Sequence, residues 1–143
     1  MKLDHIGFVV KKIDDLAQVL KAIGFGALTR PVPDHNNNVN ASFVPIGVND
    51  DVYLEVLEPI GEASVVSNFL EKTGGGLHHL CFEVDNIEKA SEELEKMGFK
   101  MVSSPALCPA YDENLSRTCE GTTKISFFLL PNRFLIELLE KGR

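Results

Sequence analysis

The amino-acid sequence contains the same pattern twice, and this internal repeat limits the possible folds more than any other feature. The stretch that begins at His5 reappears at His79, and the copies stay aligned without a gap as far as the Gly-Phe pairs at 24–25 and 98–99. Each copy covers about half of a chain of 143 residues. Because half of such a chain is too small to bury a good hydrophobic core alone, we expect two similar modules that pack together.

The hydrophobic pattern predicts the same order of elements in both copies. Short apolar runs rich in β-branched residues predict strands, and apolar residues three and four positions apart predict helices. In the first copy, strands are predicted at residues 3–10, near 26–32, at 39–46 and at 52–57, with a helix at 14–23. In the second copy, strands are predicted at 80–84, 100–104, 124–130 and 133–139, with a helix at 87–97. A connecting helix is predicted at 63–72, and residues 106–123 are predicted to form a long loop.

We therefore predict an α+β fold with one domain, residues 1–143, built from two strand–helix–three-strand (βαβββ) modules. Residues 1–58 form the first module, residues 77–143 form the second, and residues 59–76 connect them. Hydrophobic residues make up 44% of the chain and charged residues 24%, the proportions of an ordinary globular domain rather than of a disordered chain.

Charge and composition exclude several classes of protein. The formal net charge of −7 argues against broad electrostatic binding to nucleic acid. No stretch approaches the ~20 apolar residues of a membrane helix. The N-terminus lacks an apolar signal region, so we expect no membrane partner and a cytoplasmic location. Three scattered cysteines, Cys81, Cys108 and Cys119, predict neither a disulfide framework nor a zinc ribbon.

The repeat places histidine and glutamate at matched positions. His5 and His79 begin the first strand of each copy, and Glu55 and Glu137 lie within the last strand of each copy. A lone histidine or glutamate in a strand is more often structural or solvent-facing, but an accident rarely duplicates both residue types. If the two modules pair into one cupped surface, the four side chains can converge. Two imidazoles and two carboxylates suit a borderline divalent ion.

Three other polar residues near these positions are expected to lie away from the site. His78 neighbours His79 and is therefore expected on the opposite face of its strand. Glu58 and Glu140 are expected to face solvent.

The sequence resembles the vicinal oxygen chelate (glyoxalase/bleomycin resistance/dioxygenase) superfamily and, within it, the methylmalonyl-CoA epimerase family. The segments that carry the resemblance are residues 3–10, 53–59, 67–72, 76–87 and 135–138, of which Gly-Leu-His-His at 76–79 is the most discriminating. The resemblance implies that the two modules form a cupped, partly open, eight-stranded mixed sheet like a β-barrel. It also implies one bound divalent ion, Co²⁺, Zn²⁺, Ni²⁺ or Mn²⁺, with His5, Glu55, His79 and Glu137 as its ligands.

The same resemblance implies an activity. It suggests a metal-dependent isomerase or epimerase that moves the α-proton of a small-molecule substrate, such as an acyl-CoA, through a metal-stabilised enolate. Glu137 is the implied proton-transfer residue, and a homodimer is the implied assembly. A glutamate that serves some epimerases as second base aligns with about Ala41, so the loop carboxylates Asp112, Glu113 and Glu120 are candidates to replace it.

The loop at 106–123 departs from the epimerase pattern and leaves the substrate open. We predict that Arg117 and Lys124 contact an anionic substrate. Two alternatives stay beside the epimerase interpretation: a glyoxalase I-like lactoylglutathione lyase, and a non-catalytic small-molecule-binding protein of the same superfamily. Metal binding separates the two enzymes from a binding module that works without metal.

Overall fold

Each half of the chain folds as a strand, a helix and three further strands in the computed structural model, which describes residues 2–143. The first half comprises β1 (Lys2–Val9), α1 (Ile13–Ala22), β2 (Val32–Asp34), β3 (Val39–Ile46) and β4 (Val52–Pro59), and α2 (Ser67–Thr73) follows it. The second half comprises β5 (Gly76–Glu83), α3 (Ile87–Lys96), β6 (Lys100–Leu107), α4 (Pro109–Asn114), β7 (Lys124–Leu129) and β8 (Leu135–Glu140). All eight strands join one curled, mixed sheet, so the predicted α+β fold is confirmed.

The two halves meet at their first strands. The strand order is β2-β3-β4-β1-β5-β8-β7-β6, and β1 pairs antiparallel with β5 at the centre. Each central strand also pairs in parallel with the last strand of its own half, β1 with β4 and β5 with β8. The four strands that carry the matched histidines and glutamates are therefore neighbours in the middle of the sheet.

Two predicted elements differ from the observed ones. No strand forms over residues 26–31; the strand predicted near 26–32 is found instead at β2 (Val32–Asp34), three residues at an edge of the sheet. Pro31 and Pro33 lack backbone N–H groups, so this segment can pair only briefly and only at an edge. The loop predicted at 106–123 contains α4, which begins with Pro109 in its first turn. Six residues are too few to establish a helical period in a sequence.

Hydrophobic side chains fill two regions around the sheet. The larger cluster includes Val9, Phe43, Leu57 and Leu139 and extends to α4. The smaller cluster packs α3 onto the second half through Ile87, Phe128 and Leu138.

All three cysteines are free thiols, in agreement with the prediction of no disulfide framework. Within residues 2–143, no helix combines the length and apolar character needed to cross a membrane.

The first turns of α1 and α3 are capped by glutamates from neighbouring strands. The carboxylate of Glu58 accepts a hydrogen bond from the backbone N–H of Ile13 at 2.7 Å. Glu140 accepts one from the N–H of Ile87, also at 2.7 Å. The expectation that these glutamates simply face solvent is wrong, because the fold brings the last strand of each half to the start of its helix. A negative charge at this end also stabilises the helix dipole.

We expect Glu58→Ala to lower the free energy of unfolding by about 1 kcal/mol, the usual cost of losing an N-terminal cap. Urea denaturation followed by circular dichroism measures the change. Glu62→Ala removes an exposed glutamate that caps no helix and should change stability by less than about 0.5 kcal/mol. Equal denaturation midpoints for Glu58→Ala and the unaltered protein would contradict the capping role.

Candidate metal centre

Four side chains from the four central strands converge on one point of the sheet. His5 lies on β1, Glu55 on β4, His79 on β5 and Glu137 on β8. One ligand atom of each lies within 4.8 Å of the others. The cross-strand register produces this convergence, because Gly7 of β1 pairs with both Glu55 and His79. Likewise, Cys81 of β5 pairs with both His5 and Glu137.

The donor atoms stand at the spacing expected around a single ion. Nε2 of His5 lies 2.8 Å from Oε2 of Glu55 and 3.1 Å from Oε2 of Glu137. Nε2 of His79 lies 3.2 Å and 2.9 Å from the same two oxygens. Two donors bound at right angles to one ion, each at about 2.1 Å, are separated by about 3 Å. The four atoms can therefore share one small cation without a large movement.

The protonation pattern also fits a cation. The Nε2 atoms of His5 and His79 face each other at 3.2 Å. Nδ1 of His5 lies 2.8 Å from the carboxylate of Asp4, so the ring proton can stay on Nδ1 while Nε2 offers its lone pair. Oε2 of Glu55 is buried and has no hydrogen bond of acceptable geometry among the described residues. A buried, unsatisfied carboxylate oxygen beside two imidazole nitrogens is the donor set that a divalent ion satisfies.

Burial and charge oppose each other at these residues. Burial raises the pKa of Glu137, but the charge on His5 and hydrogen bonds from His5 and His79 lower it more, so the pKa lies below its usual value. Burial lowers the pKa of His79, but the negatively charged carboxylates of Glu137 and Glu55 beside its ring raise it above its usual value overall. The lowered pKa keeps Glu137 ionised. An ionised carboxylate can bind a cation or accept a proton.

A cavity of about 290 Å³ opens above the four side chains. Its walls are mostly apolar and include Val39, Ala41, Phe43, Phe127 and Leu135. Among residues 2–143, no lysine or arginine lines this cavity.

The structure places both predicted substrate cations outside the cavity. Arg117 donates to the carboxylate of Asp112 at 3.1 Å and to the carbonyl oxygen of Gly142 at 2.9 Å. Lys124 pairs with Glu88 of α3 at 2.7 Å. These ion pairs argue against the predicted contact of Arg117 and Lys124 with substrate.

The loop carboxylates proposed as second base are also not in the cavity wall. Asp112 accepts hydrogen bonds from both the backbone N–H and the hydroxyl of Thr123, which fixes it as a structural residue. Glu113 and Glu120 do not line the cavity. From this loop, α4 instead contributes Tyr111, whose side chain lines the cavity.

Sequence reasoning missed three residues next to the candidate ligands. The buried carboxylate of Asp4 contacts His5 and accepts hydrogen bonds from the Tyr111 hydroxyl at 2.9 and 3.0 Å. His78 lies beside His79 and lines the same cavity, so the expectation that it faces the other side of the strand is wrong. The position of Asp4 directly before the repeated histidine was an available signal, whereas nothing in the sequence connects Tyr111 with Asp4.

The fold and the site together indicate one class of protein. Two βαβββ halves form a single curled, mixed sheet, and its central strands carry two histidines and two glutamates at a candidate metal site. The chain belongs to the Glyoxalase/Bleomycin resistance protein/Dioxygenase superfamily, whose family model matches residues 4–113. The superfamily resemblance seen in the sequence is therefore confirmed.

Several relatives of this chain are epimerases by name. The chain is 33% identical to the mitochondrial methylmalonyl-CoA epimerase of Homo sapiens over 103 residues, covering 71% of this chain and 57% of that protein. It is 28% identical to an ethylmalonyl-CoA/methylmalonyl-CoA epimerase of Cereibacter sphaeroides, covering 72% and 75%. The fold matches the methylmalonyl-CoA epimerase of Streptomyces coelicolor with a TM-score of 0.80 at 22% identity, covering 100% and 99% of the two chains. The chain spans only 57–62% of the length of the mammalian mitochondrial relatives.

Proposed function

We propose that this protein is a divalent-metal-dependent epimerase that acts on methylmalonyl-CoA or a closely similar 2-substituted malonyl thioester. The observation that carries the proposal is the convergence of His5, Glu55, His79 and Glu137 at the floor of an apolar cavity. The names of the relatives from Homo sapiens and Cereibacter sphaeroides support the reaction class and the substrate class.

The four converging side chains would hold the ion. They carry two negative charges and two neutral imidazoles when the Nε2 atoms are unprotonated, so a bound divalent cation would be neutralised locally. When bound, such an ion supplies Lewis acidity to two neighbouring oxygens of a dicarbonyl compound. A malonyl thioester offers two such oxygens, one on its carboxylate and one on its thioester carbonyl.

Glu137 is the proposed base for the α-proton. Its carboxylate is buried, is kept ionised by the imidazoles beside it, and lines the cavity in which the substrate would lie. Epimerisation requires this proton to leave one face of the α-carbon and a proton to return on the opposite face. The apolar walls limit the access of water, so the α-proton passes to and from groups of the protein, which exchange their own protons with solvent before the substrate binds.

Exchange of the α-hydrogen tests this function. Protein loaded with Co²⁺ is incubated with methylmalonyl-CoA in deuterated water, and mass spectrometry measures deuterium at the α-carbon. We expect one deuterium to enter at a rate well above that without protein. Propionyl-CoA is the matched control, because it keeps the thioester and lacks the second carbonyl group.

The two outcomes lead to different conclusions. Loss of exchange after treatment with a chelator, and its return when Co²⁺ is added back, would support a metal-dependent reaction. Absence of exchange in protein that holds one Co²⁺ per chain would exclude methylmalonyl-CoA as the substrate.

A further inference from the structure

Both candidate histidine ligands are held at Nδ1 by the residue that directly precedes them. Nδ1 of His5 lies 2.8 Å from the carboxylate of Asp4. Nδ1 of His79 lies 2.9 Å from Nδ1 of His78. Asp4 and His78 occupy matched positions of the repeat, because each stands one residue before the matched histidine. In both halves the residue before the histidine therefore contacts its Nδ1, but the partner group is a carboxylate for His5 and an imidazole for His79.

A matched phenylalanine also packs against each histidine. The ring of His5 meets Phe43 edge-on with centroids 5.6 Å apart, and the ring of His79 meets Phe127 edge-on at the same distance. Phe43 and Phe127 lie at corresponding places in β3 and β7, because Phe43 pairs with Glu55 and Phe127 pairs with Glu137. Each imidazole is thus fixed from two sides by equivalent elements of the two halves.

A β-bulge brings His78 to the same side of the sheet as His79. In the pairing of β1 with β5, Gly7 lies opposite His79 and the next residue, Phe8, lies opposite Leu77. His78 has no partner across this irregularity, and the extra residue breaks the normal alternation of side chains. The His78 ring then packs edge-on against Phe69, with centroids 4.9 Å apart, and is half-buried at the cavity wall.

We propose that His78 is a positioning residue for His79: its Nδ1 accepts a hydrogen bond from the Nδ1–H of His79 and so keeps Nε2 of His79 free to bind a cation. This inference rests on the proposed function, in which Nε2 of His79 is a ligand atom. Two ring nitrogens 2.9 Å apart share one proton between them. If Nε2 of His79 gives its lone pair to an ion, that proton belongs to Nδ1 of His79, and neutral His78 carries its own proton on Nε2.

The different partners make the two ligands chemically unequal. Asp4 is a charged acceptor, and it is itself held by the Tyr111 hydroxyl and by Lys141, whose Nζ lies 3.2 Å from Oδ1. A charge-assisted hydrogen bond is stronger than a neutral one and increases the basicity of the imidazole that donates it. His5 is therefore the more strongly polarised ligand, and His79 depends on the neutral ring of His78 for its orientation.

The ring tautomers in protein loaded with Zn²⁺ test this inference directly. Long-range ¹H–¹⁵N spectra of the unaltered protein should show His78 protonated at Nε2 and His79 protonated at Nδ1. Finding the proton of His78 on Nδ1 would overturn the inference. This measurement needs no substitution and decides the question even if a variant fails to fold.

Titration with Zn²⁺ provides the second readout. His78→Phe keeps an aromatic ring against Phe69 but removes the acceptor, and we expect Zn²⁺ affinity to fall about 10–100-fold. His78→Asn can place its side-chain oxygen near the position of Nδ1 and should recover most of that loss. His35→Phe, which replaces an exposed histidine, should bind Zn²⁺ like the unaltered protein.

Failure of this inference and failure of the proposed function give different results. If the unaltered protein and His78→Phe bind Zn²⁺ equally well, His78 does not position His79 and the metal site itself stands. If the unaltered protein binds neither Zn²⁺ nor Co²⁺, the proposed function is wrong and the inference falls with it.

Discussion

Replacing Glu137 with glutamine is expected to reduce α-hydrogen exchange of methylmalonyl-CoA by about 10²–10⁴-fold, the usual contribution of a positioned acid–base group. Glutamine keeps the size of the side chain and an oxygen that can face a cation, but it cannot accept a proton at neutral pH. We therefore expect the variant to retain a measurable, weaker affinity for Co²⁺ while exchange is lost. Mass spectrometry of the substrate and metal analysis of the same protein sample measure both quantities.

Glu140→Gln is the matched control for this variant. Glu140 lies on the same strand, three residues further along, and its carboxylate caps α3 rather than facing the cavity. The same chemical change at this position should leave exchange within about twofold, because the amide oxygen can still accept the backbone hydrogen bond. Exchange by Glu137→Gln at the rate of the unaltered protein would remove Glu137 from the role of base.

The second large effect is expected at Gly7, which lies between two candidate ligands in the sheet. A Cβ atom added to Gly7 would overlap the imidazole ring of His79. Gly7 does not have a positive φ, so other residues can adopt its backbone conformation. The obstacle to a larger residue is therefore the lack of space beside His79. We expect Gly7→Ala to displace the His79 ring and to reduce Co²⁺ affinity at least 100-fold, because one ligand atom leaves the shared position. The visible absorption of Co²⁺ during titration measures this loss.

Gly26→Ala provides the matched substitution. A Cβ atom at Gly26 would meet nothing within 4 Å, and the backbone there does not have the positive φ that favours glycine. We expect this variant to bind Co²⁺ as the unaltered protein does. Crowding in a packed strand also destabilises, by about 1–3 kcal/mol, so circular dichroism must show that Gly7→Ala is folded. A folded Gly7→Ala protein with normal Co²⁺ affinity would show that the His79 ring is not a required ligand.

The repeat made the central part of this structure predictable from sequence. It predicted the βαβββ order of both halves and identified His5, Glu55, His79 and Glu137 as matched residues, and the structure brings these four together. Their positions depend on strand alternation and on the register of neighbouring strands, both of which repeat with the sequence. Their role as metal ligands remains a prediction, as do the homodimer and the cytoplasmic location.

Features that depend on contacts between distant segments were not predictable. The side of the sheet on which His78 lies depends on a bulge against β1, and a single sequence does not show where two strands lose register. The contact of Tyr111 with Asp4 joins residues 107 positions apart through the short helix α4. The prediction for Arg117 and Lys124 rests on their charge and on their place in or next to the loop at 106–123, and the sequence does not show that they pair with Asp112 and Glu88.

The central pairing of β1 with β5 has a consequence for how the chain assembles. The candidate ligands His5 and His79 lie 74 positions apart, and His5 and Glu137 lie 132 positions apart, so each half supplies only half of the set. Contacts this far apart in sequence close large loops, which has an entropic cost and is associated with slower folding. An ion that binds all four side chains binds only the docked halves, and its binding free energy adds to their association. A bound ion would therefore stabilise the pairing of the two halves within their shared sheet.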